Sequence, residues 1–312
     1  MILVVCLNPA LDVTHHVPGV DWSGVNRPAE VAAAPGGKGV NVARTLRALG
    51  SEVLVIGLAG GVTGEAVRAG LAAAGVPGTF TPIAGETRRT FAVVDQVSHD
   101  TALFNEPGPA VMAGEYDEFL VLHEKSLAGC QAVVMSGSLP PGLPADTYAG
   151  LAVRAAAAAV PVVLDAGGAA LVHAAAARPA IAKPNLAELE AAVRRPLAGL
   201  AAAAGAAAEL RDAGAGAVVV SLGGDGLLAV TGEGTWHAAP PGRVAGNPTG
   251  AGDAVVAGLA HGLVLGRPWP ERLRHATALG TASVAAPGAG QFAVADYERA
   301  LAGTRVTQWA GG

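Results

Sequence analysis

The chain has 312 residues and a formal net charge of −5, with 14% charged and 51% hydrophobic residues, many of them alanines in runs such as AAAAA at 155–159. That length suits one large α/β domain or two smaller ones. No uninterrupted apolar run approaches the roughly 18 residues of a membrane span, and without a basic cluster there is no electrostatic footprint for nucleic acid. Cys6 and Cys130 are the two cysteines, both inside apolar runs that read as strands, so no disulfide framework is expected. The opening MILVVCLNPALD lacks a basic leader, and its apolar run is too short for a signal peptide. A soluble, cytoplasmic enzyme or small-molecule binder is the expectation.

In chain order, MILVVCL (1–7) reads as a strand. A glycine turn at 36–39 leads into VNVARTLRAL, where Val42, Leu46 and Leu49 share one helical face and Gly50 ends the helix. EVLVIGLAG (52–60) follows as a strand and GEAVRAGLAAAG (64–75) as a helix. Further apolar runs at 132–135, 162–166 and 217–223 are continuous rather than alternating, as in a parallel sheet covered on both faces. The alanine-rich stretch at 198–217 favours a surface helix. The alternation predicts a doubly wound, mostly parallel α/β fold with helices on both faces. Two segments break it. Residues 12–35 and 87–106 carry DVTHHV, RRTFAVVD and TALFN with no helix between, predicting antiparallel strands of a small β-sheet lid. With no polar linker, residues 1–312 read as one domain with that lid.

Ligands in such folds bind beyond the carboxyl ends of the strands. Asn247-Pro-Thr-Gly-Ala-Gly-Asp253 precedes an apolar helix starting near Gly252 or Asp253. Glycines there turn the first amides toward one point, and with the helix dipole they make an anion site. A plain N-cap aspartate is the alternative. GGKG at 36–39 is a second glycine-rich helix entry, with Lys38 placed for a phosphate, or a mere tight turn. It is not a Walker loop, and no G-x-G-x-x-G follows the first strand. In Lys183-Pro-Asn185-Leu-Ala-Glu188, Asn185 and Glu188 either hold a hydrated Mg²⁺ beside phosphates or form a capping box. Ser221-Leu-Gly223-Gly224-Asp225-Gly226 joins two strands as a hairpin or lies against a nucleotide. Asp12, Arg27 and Arg88 lie in or beside the lid segments. His15 and His16 lack metal-ligand spacing, and Ser138 has no G-x-S-x-G elbow.

Together, NPALD (8–12), GGKGVNVAR (36–44), GETR (85–88), SGSLPPG (136–142), VVLD (162–165), KPNLAELE (183–190), SLGGDG (221–226) and NPTGAGDA (247–254) resemble the PfkB family of carbohydrate kinases, in order and spacing, nearly end to end. The likeness is to the phosphosugar branch, of the tagatose-6-phosphate kinase and 1-phosphofructokinase type. Ala254 stands where several phosphosugar relatives carry serine.

The resemblance implies a ribokinase-like fold and ATP- and Mg²⁺-dependent phosphorylation of a ketohexose monophosphate: tagatose 6-phosphate or fructose 1-phosphate ahead of fructose 6-phosphate. It implies that Asp253 is the general base, and that the amides of Gly250, Ala251 and Gly252 hold the charge on the transferring phosphoryl group. Asp12, Gly36, Gly37 and Asn41 would hold sugar hydroxyls; Lys38, Arg27 and Arg88 would engage the sugar's phosphate. Lys183, Asn185, Ser221, Gly223 and Gly226 would bind ATP, with Glu188 organising Mg²⁺ through water. The lid would close over the sugar and pair with a second subunit. Two rivals stand beside this reading: a kinase for a neutral sugar or nucleoside, and a sugar-phosphate sensor without catalysis.

Overall fold

A strand with an apolar residue at every position is stable only if helices cover both of its faces. In a computed structural model of the chain, which describes residues 1–98, 100–286 and 288–309, β1 (Ile2–Cys6) has this form. Leu3 and Val5 enter one core, and Ile2 and Val4 the other. The chain leaves for a second sheet as β2 (Ala10–Val17) and β3 (Glu30–Gly36). It returns through α1 (Lys38–Ala48), β4 (Val53–Ala59), α2 (Gly61–Ala73) and β5 (Gly78–Pro82). A second excursion forms β6 (Arg88–Asp95) and β7 (Thr101–Asn105).

The main sheet then grows on the other side of β1. It proceeds through α3 (Ala113–Ser126), β8 (Ala132–Ser136), α4 (Thr147–Ala157), β9 (Val162–Asp165), α5 (Gly168–Ala176) and β10 (Ile181–Ala182). Helices α6 (Leu186–Val193) and α7 (Gly199–Asp212) lead to β11 (Val218–Ser221). Antiparallel strands β12 (Leu227–Thr231), β13 (Gly234–Ala239) and β14 (Arg305–Gln308) finish that edge. Between β13 and β14 run α8 (Ala251–Val264), α9 (Trp269–Val284) and α10 (Val294–Gly303). The strand order is β14-β13-β12-β11-β10-β9-β8-β1-β4-β5, with the parallel strands from β11 to β5.

Helices α3 to α7 cover one face through Phe119, Tyr148, Leu151, Leu171, Leu189 and Leu210. The other face is covered by α1, α2, α8 and α9 through Val42, Leu46, Leu71, Val256, Leu259 and Leu273. Crossovers from β1 run toward β4 and β5 on one side, and from β8 toward β9 to β11 on the other. The order therefore reverses between β1 and β8, which is where a doubly wound sheet opens a crevice. The second sheet, ordered β3-β2-β6-β7, rises from that end because β2 follows β1 after only three residues. No described helix is long and apolar enough to cross a membrane.

The fold is the expected one, and four details correct the sequence reading. The small sheet is mixed, because β2 pairs with β6 in parallel along its whole length. Only the β2–β3 and β6–β7 pairs are antiparallel. Cys130 is not in a strand: it precedes β8, and its thiol donates to the Ser126 carbonyl at 2.9 Å. The alanine-rich α7 is no surface helix, since Ala203, Ala204, Ala206 and Ala207 are buried and let it sit close on β11 and β12. Helix α8 starts at Ala251, one residue before the expected range, because Gly250 caps it at φ +85° with its Cα face against Ala289. Any Cβ at Gly250 would stand 2.7 Å from the Ala289 Cβ.

Leu46 is fully buried where α1 seats on the sheet that carries the crevice. Leu46→Ala should cost about 3 kcal/mol through lost burial and a residual cavity. Urea unfolding should show a lower midpoint at an unchanged m-value.

Candidate active site

Five polar groups stand where adjacent parallel strands end: Asn8 after β1, Ser138 after β8, Asp165 closing β9, Lys183 after β10 and Ser221 closing β11. A strand interior in this fold has no use for a charge, but its carboxyl end opens on the crevice, so polar residues collect there. They line one cleft of about 1530 Å³. That volume exceeds the roughly 300–1,000 Å³ usual for one small ligand and leaves room for two.

The amino terminus of α8 projects into the cleft with Gly250, Ala251, Gly252 and Asp253. A Cβ on Gly252 would stand 3.7 Å from the Lys183 amine, so a lysine faces this helix start across a narrow gap. The Asp253 side chain is 6% exposed, and its Oδ2 accepts a hydrogen bond from Asn41 Nδ2 at 2.9 Å. Burial, aided by the neighbouring Asp165 charge, pushes its pKa up to about 7, against the pull of Asn41, Lys38 and Lys183. The other end of the Asn41 amide, Oδ1, is buried without a partner among the described residues. An acceptor left this way next to Asp253 is suited to a ligand hydroxyl.

Behind Asp253 lies a buried ionic network. Asp165, 1% exposed, pairs with Lys183 at 3.1 Å and with Lys38 at 3.6 Å, and accepts from Ser136 Oγ at 3.0 Å. Burial alone would raise the Asp165 pKa, but Lys183 and Lys38 draw it below the usual carboxylate value. Lys38 also reaches Glu188 Oε1 at 3.4 Å. Its own pKa is raised, because the attraction of Asp165, Glu188 and Asp253 outweighs the effect of burial.

Asn185 and Glu188 form the capping box that opens α6: Asn185 Oδ1 accepts from the Glu188 amide at 2.8 Å, and Glu188 Oε2 from the Asn185 amide at 2.9 Å. The structural alternative is realised, yet it leaves Oε1 turned toward Lys38. The capping box and the contact to Lys38 thus use different oxygens of one carboxylate.

Toward the small sheet, Asp12 on β2 sits beneath Gly36, where any side chain would collide with its carboxylate. Burial raises the Asp12 pKa, opposed by a hydrogen bond from Thr90 and by Arg88 and Arg44. Arg88 is braced by its Nε donating to the Asn8 carbonyl at 3.2 Å and Nη1 to the Glu106 carbonyl at 3.0 Å. Ser221, Gly223 and Gly226 line the opposite end of the cleft with Asn185. Leu227, Val244, Val255 and Val284 give that end an apolar wall.

The cleft thus gathers Asp12, Gly37, Lys38, Asn41, Arg88, Lys183, Asn185, Glu188, Ser221, Gly223, Gly226 and the 250–253 turn. Gly36 stands just behind it, supporting Asp12. Arg27 is exposed in the turn between β2 and β3 and is not among the lining residues. Sequence reasoning missed Asp165, Ser138 and Asn8 as site residues. One signal was available for Asp165: a lone carboxylate ends the otherwise apolar VVLD strand, where the crevice must lie.

Comparison with known proteins agrees with this geometry. The profile of the pfkB family carbohydrate kinases matches residues 1–295. The 1-phosphofructokinase of Rhodobacter capsulatus is 40% identical over 278 residues, covering 89% of this chain and 88% of that protein. The tetrameric inhibited form of phosphofructokinase-2 from Escherichia coli superposes with a TM-score of 0.90 at 31% identity, covering 96% of this chain and 98% of that one. The same enzyme in complex with fructose-6-phosphate gives 0.88 over the same shares. By sequence over nearly its whole length, and by a ribokinase-like sheet with its crevice between β1 and β8, the chain belongs to the pfkB family of carbohydrate kinases.

Proposed function

We propose that the protein transfers the γ-phosphoryl group of ATP to a hydroxyl of a ketohexose monophosphate, with fructose 1-phosphate the first candidate and tagatose 6-phosphate and fructose 6-phosphate behind it. The observation that carries this reading is Asp253: a buried carboxylate at the start of α8, held by Asn41, between a lysine-rich end and an arginine-lined end of one cleft. The 40% identity to a 1-phosphofructokinase supports the order of substrates.

In this reading Asp253 takes the proton of the attacking hydroxyl as the new O–P bond forms. A pKa near 7 leaves it partly ionised and basic enough for the task. The amides of Gly250, Ala251 and Gly252, fixed by the helix, face charge developing on the transferred group. Asp12 and the free Asn41 Oδ1 orient the sugar, backed by Gly36 and Gly37. Arg88 takes its phosphate, with Arg27 reaching in only if the β2–β3 turn closes; Lys38, which the sequence assigned to that phosphate, lies instead against Asp165 and Glu188 beside the transfer point. Lys183, Asn185, Ser221, Gly223 and Gly226 hold ATP, its base against the Leu227, Val244 and Val284 wall.

Mg²⁺ fits the residues present: Lys38 shows that a cation is already shared between Asp165 and Glu188, and magnesium needs only one or two carboxylates beside phosphates and water. Glu188, through water, and Asp165 would hold it, and it would neutralise phosphate charge. We read residues 1–312 as one kinase domain in the cytosol, with 310–312 outside the described residues. Its small sheet would act as the lid and, with Val31 and Phe104 exposed on it, as a dimer surface.

Asp253→Asn should lower kcat on the order of 10²- to 10⁴-fold while sparing ATP binding; turnover near the wild-type value would overturn the mechanism. The pH dependence has a definite sign. Asp253 is raised from 3.8 to about 7, so its basic form is lost as pH falls below about 7, and kcat/KM should drop about tenfold per unit there. Between those two values the native state keeps a proton that the unfolded chain has released, so this group's contribution to stability falls as pH rises through that window. In an ADP-release assay, kcat/KM should favour fructose 1-phosphate over fructose by about 10- to 100-fold, the range for one charged hydrogen-bonded contact. Preference for a neutral sugar or nucleoside would sink the substrate assignment, and no ADP with any sugar would favour a sensor.

A further inference from the structure

Lys38 has an unusual position for a residue placed to meet a sugar's phosphate. It opens α1 with its side chain 42% exposed, yet its amine is engaged by two carboxylates from separate elements: Asp165 Oδ2 at 3.6 Å and Glu188 Oε1 at 3.4 Å. The two have different alternatives. Asp165 also has Lys183 at 3.1 Å and Ser136 at 3.0 Å. Among the described residues Glu188 Oε1 has no other protein donor, and the capping box uses Oε2. The Lys38 ammonium is therefore the cation that joins these two carboxylates, and it has both the exposure and the four-carbon reach to leave.

We propose that Lys38 is a displaceable counter-ion of the Asp165–Glu188 pair, in competition with Mg²⁺ that arrives with the nucleotide, and that loading of the metal frees its amine for the phosphoryl group at the α8 amino terminus. This rests on the assignment of Mg²⁺ to Asp165 and Glu188. One carboxylate oxygen cannot give full strength to an ammonium and to a hydrated divalent ion together, so each weakens the other's hold. Apparent metal affinity is then reduced by the fraction of enzyme in which Lys38 occupies the pair. Lys183 cannot play this part, since it is 3% exposed and fixed on Asp165. The arrangement couples the two substrates: the cation needed at the transfer point is released only when nucleotide and metal are in place.

The test is a titration of nucleotide-free enzyme with Mn²⁺, following free Mn²⁺ by electron paramagnetic resonance. Lys38→Met and Lys38→Gln should both bind Mn²⁺ roughly tenfold more tightly than wild type, and Lys38→Arg, which keeps the charge, should match wild type. The kcat of both neutral variants should fall in spite of the tighter metal. Unchanged or weaker Mn²⁺ binding in the neutral variants, equal tightening in Lys38→Arg, or an undiminished kcat overturns the proposal. Glu188→Gln separates it from its foundation. If that change leaves Mn²⁺ binding untouched, the metal assignment fails and the proposal with it. If it weakens binding while the Lys38 variants behave as wild type, the Lys38 proposal alone fails. A failed phosphorylation assay with every ketohexose monophosphate would remove the substrate assignment and leave this titration standing.

Discussion

Asp165 sets the electrostatics on which the site depends. Its carboxylate is 1% exposed at the end of β9, and Lys183 beside it is 3% exposed. Ionising either alone at that depth would carry a heavy desolvation cost. Paired at 3.1 Å, with Ser136 on the remaining oxygen and Lys38 nearby, both stay charged. Two lysines and the carboxylates of Asp165 and Glu188 form a neutral group, and that leaves Asp253 as the carboxylate for which no full positive partner remains. Burial and the Asp165 charge beside it hold its proton to near neutrality, so the same ion pair shapes the titration of the neighbouring carboxylate.

The backbone places these charges by a simple rule. Strands β8 to β11 are apolar in their interiors because helices cover both faces, so their charged and polar residues can stand only where each strand ends. Parallel pairing brings those ends to one edge, and α8 delivers its amino terminus to the same place. The small sheet follows from the same geometry. Only three residues separate β2 from the end of β1, so it must rise from the crevice, and Gly36 lets β3 pass over Asp12 without a side chain in the way.

Periodicity and turn chemistry made the main sheet, its helices and the glycine entries to α1 and α8 readable from the sequence, because those features are local. What escaped is long-range. Asn41 and Asp253 meet across 212 residues, and Lys38 and Glu188 across 150. Asp165 looked like the tail of a strand, and only the neighbours supplied by β8 and β10 make it the centre of a network. The parallel β2–β6 pair escaped for a related reason: short β-prone segments show that strands exist but not in which direction distant ones align. In α7, the alanines signalled helix correctly, but their small size concealed that they pack against the sheet.

The two ends of the Asn41 amide show why a kinase benefits from this layout. Nδ2 donates to Asp253, which keeps that carboxylate oriented before any ligand arrives, while Oδ1 stays buried and unpartnered. A buried acceptor without a donor costs stability, about 1–3 kcal/mol in general, and no described residue relieves it. A sugar hydroxyl would relieve it, and in doing so would be brought to Asp253, the base in the proposed mechanism. The same logic governs the lysine end, where Lys38 holds the two carboxylates that the proposal gives to the metal. In the proposed mechanism each half of the cleft is completed by its own ligand, and transfer over hydrolysis follows from needing both.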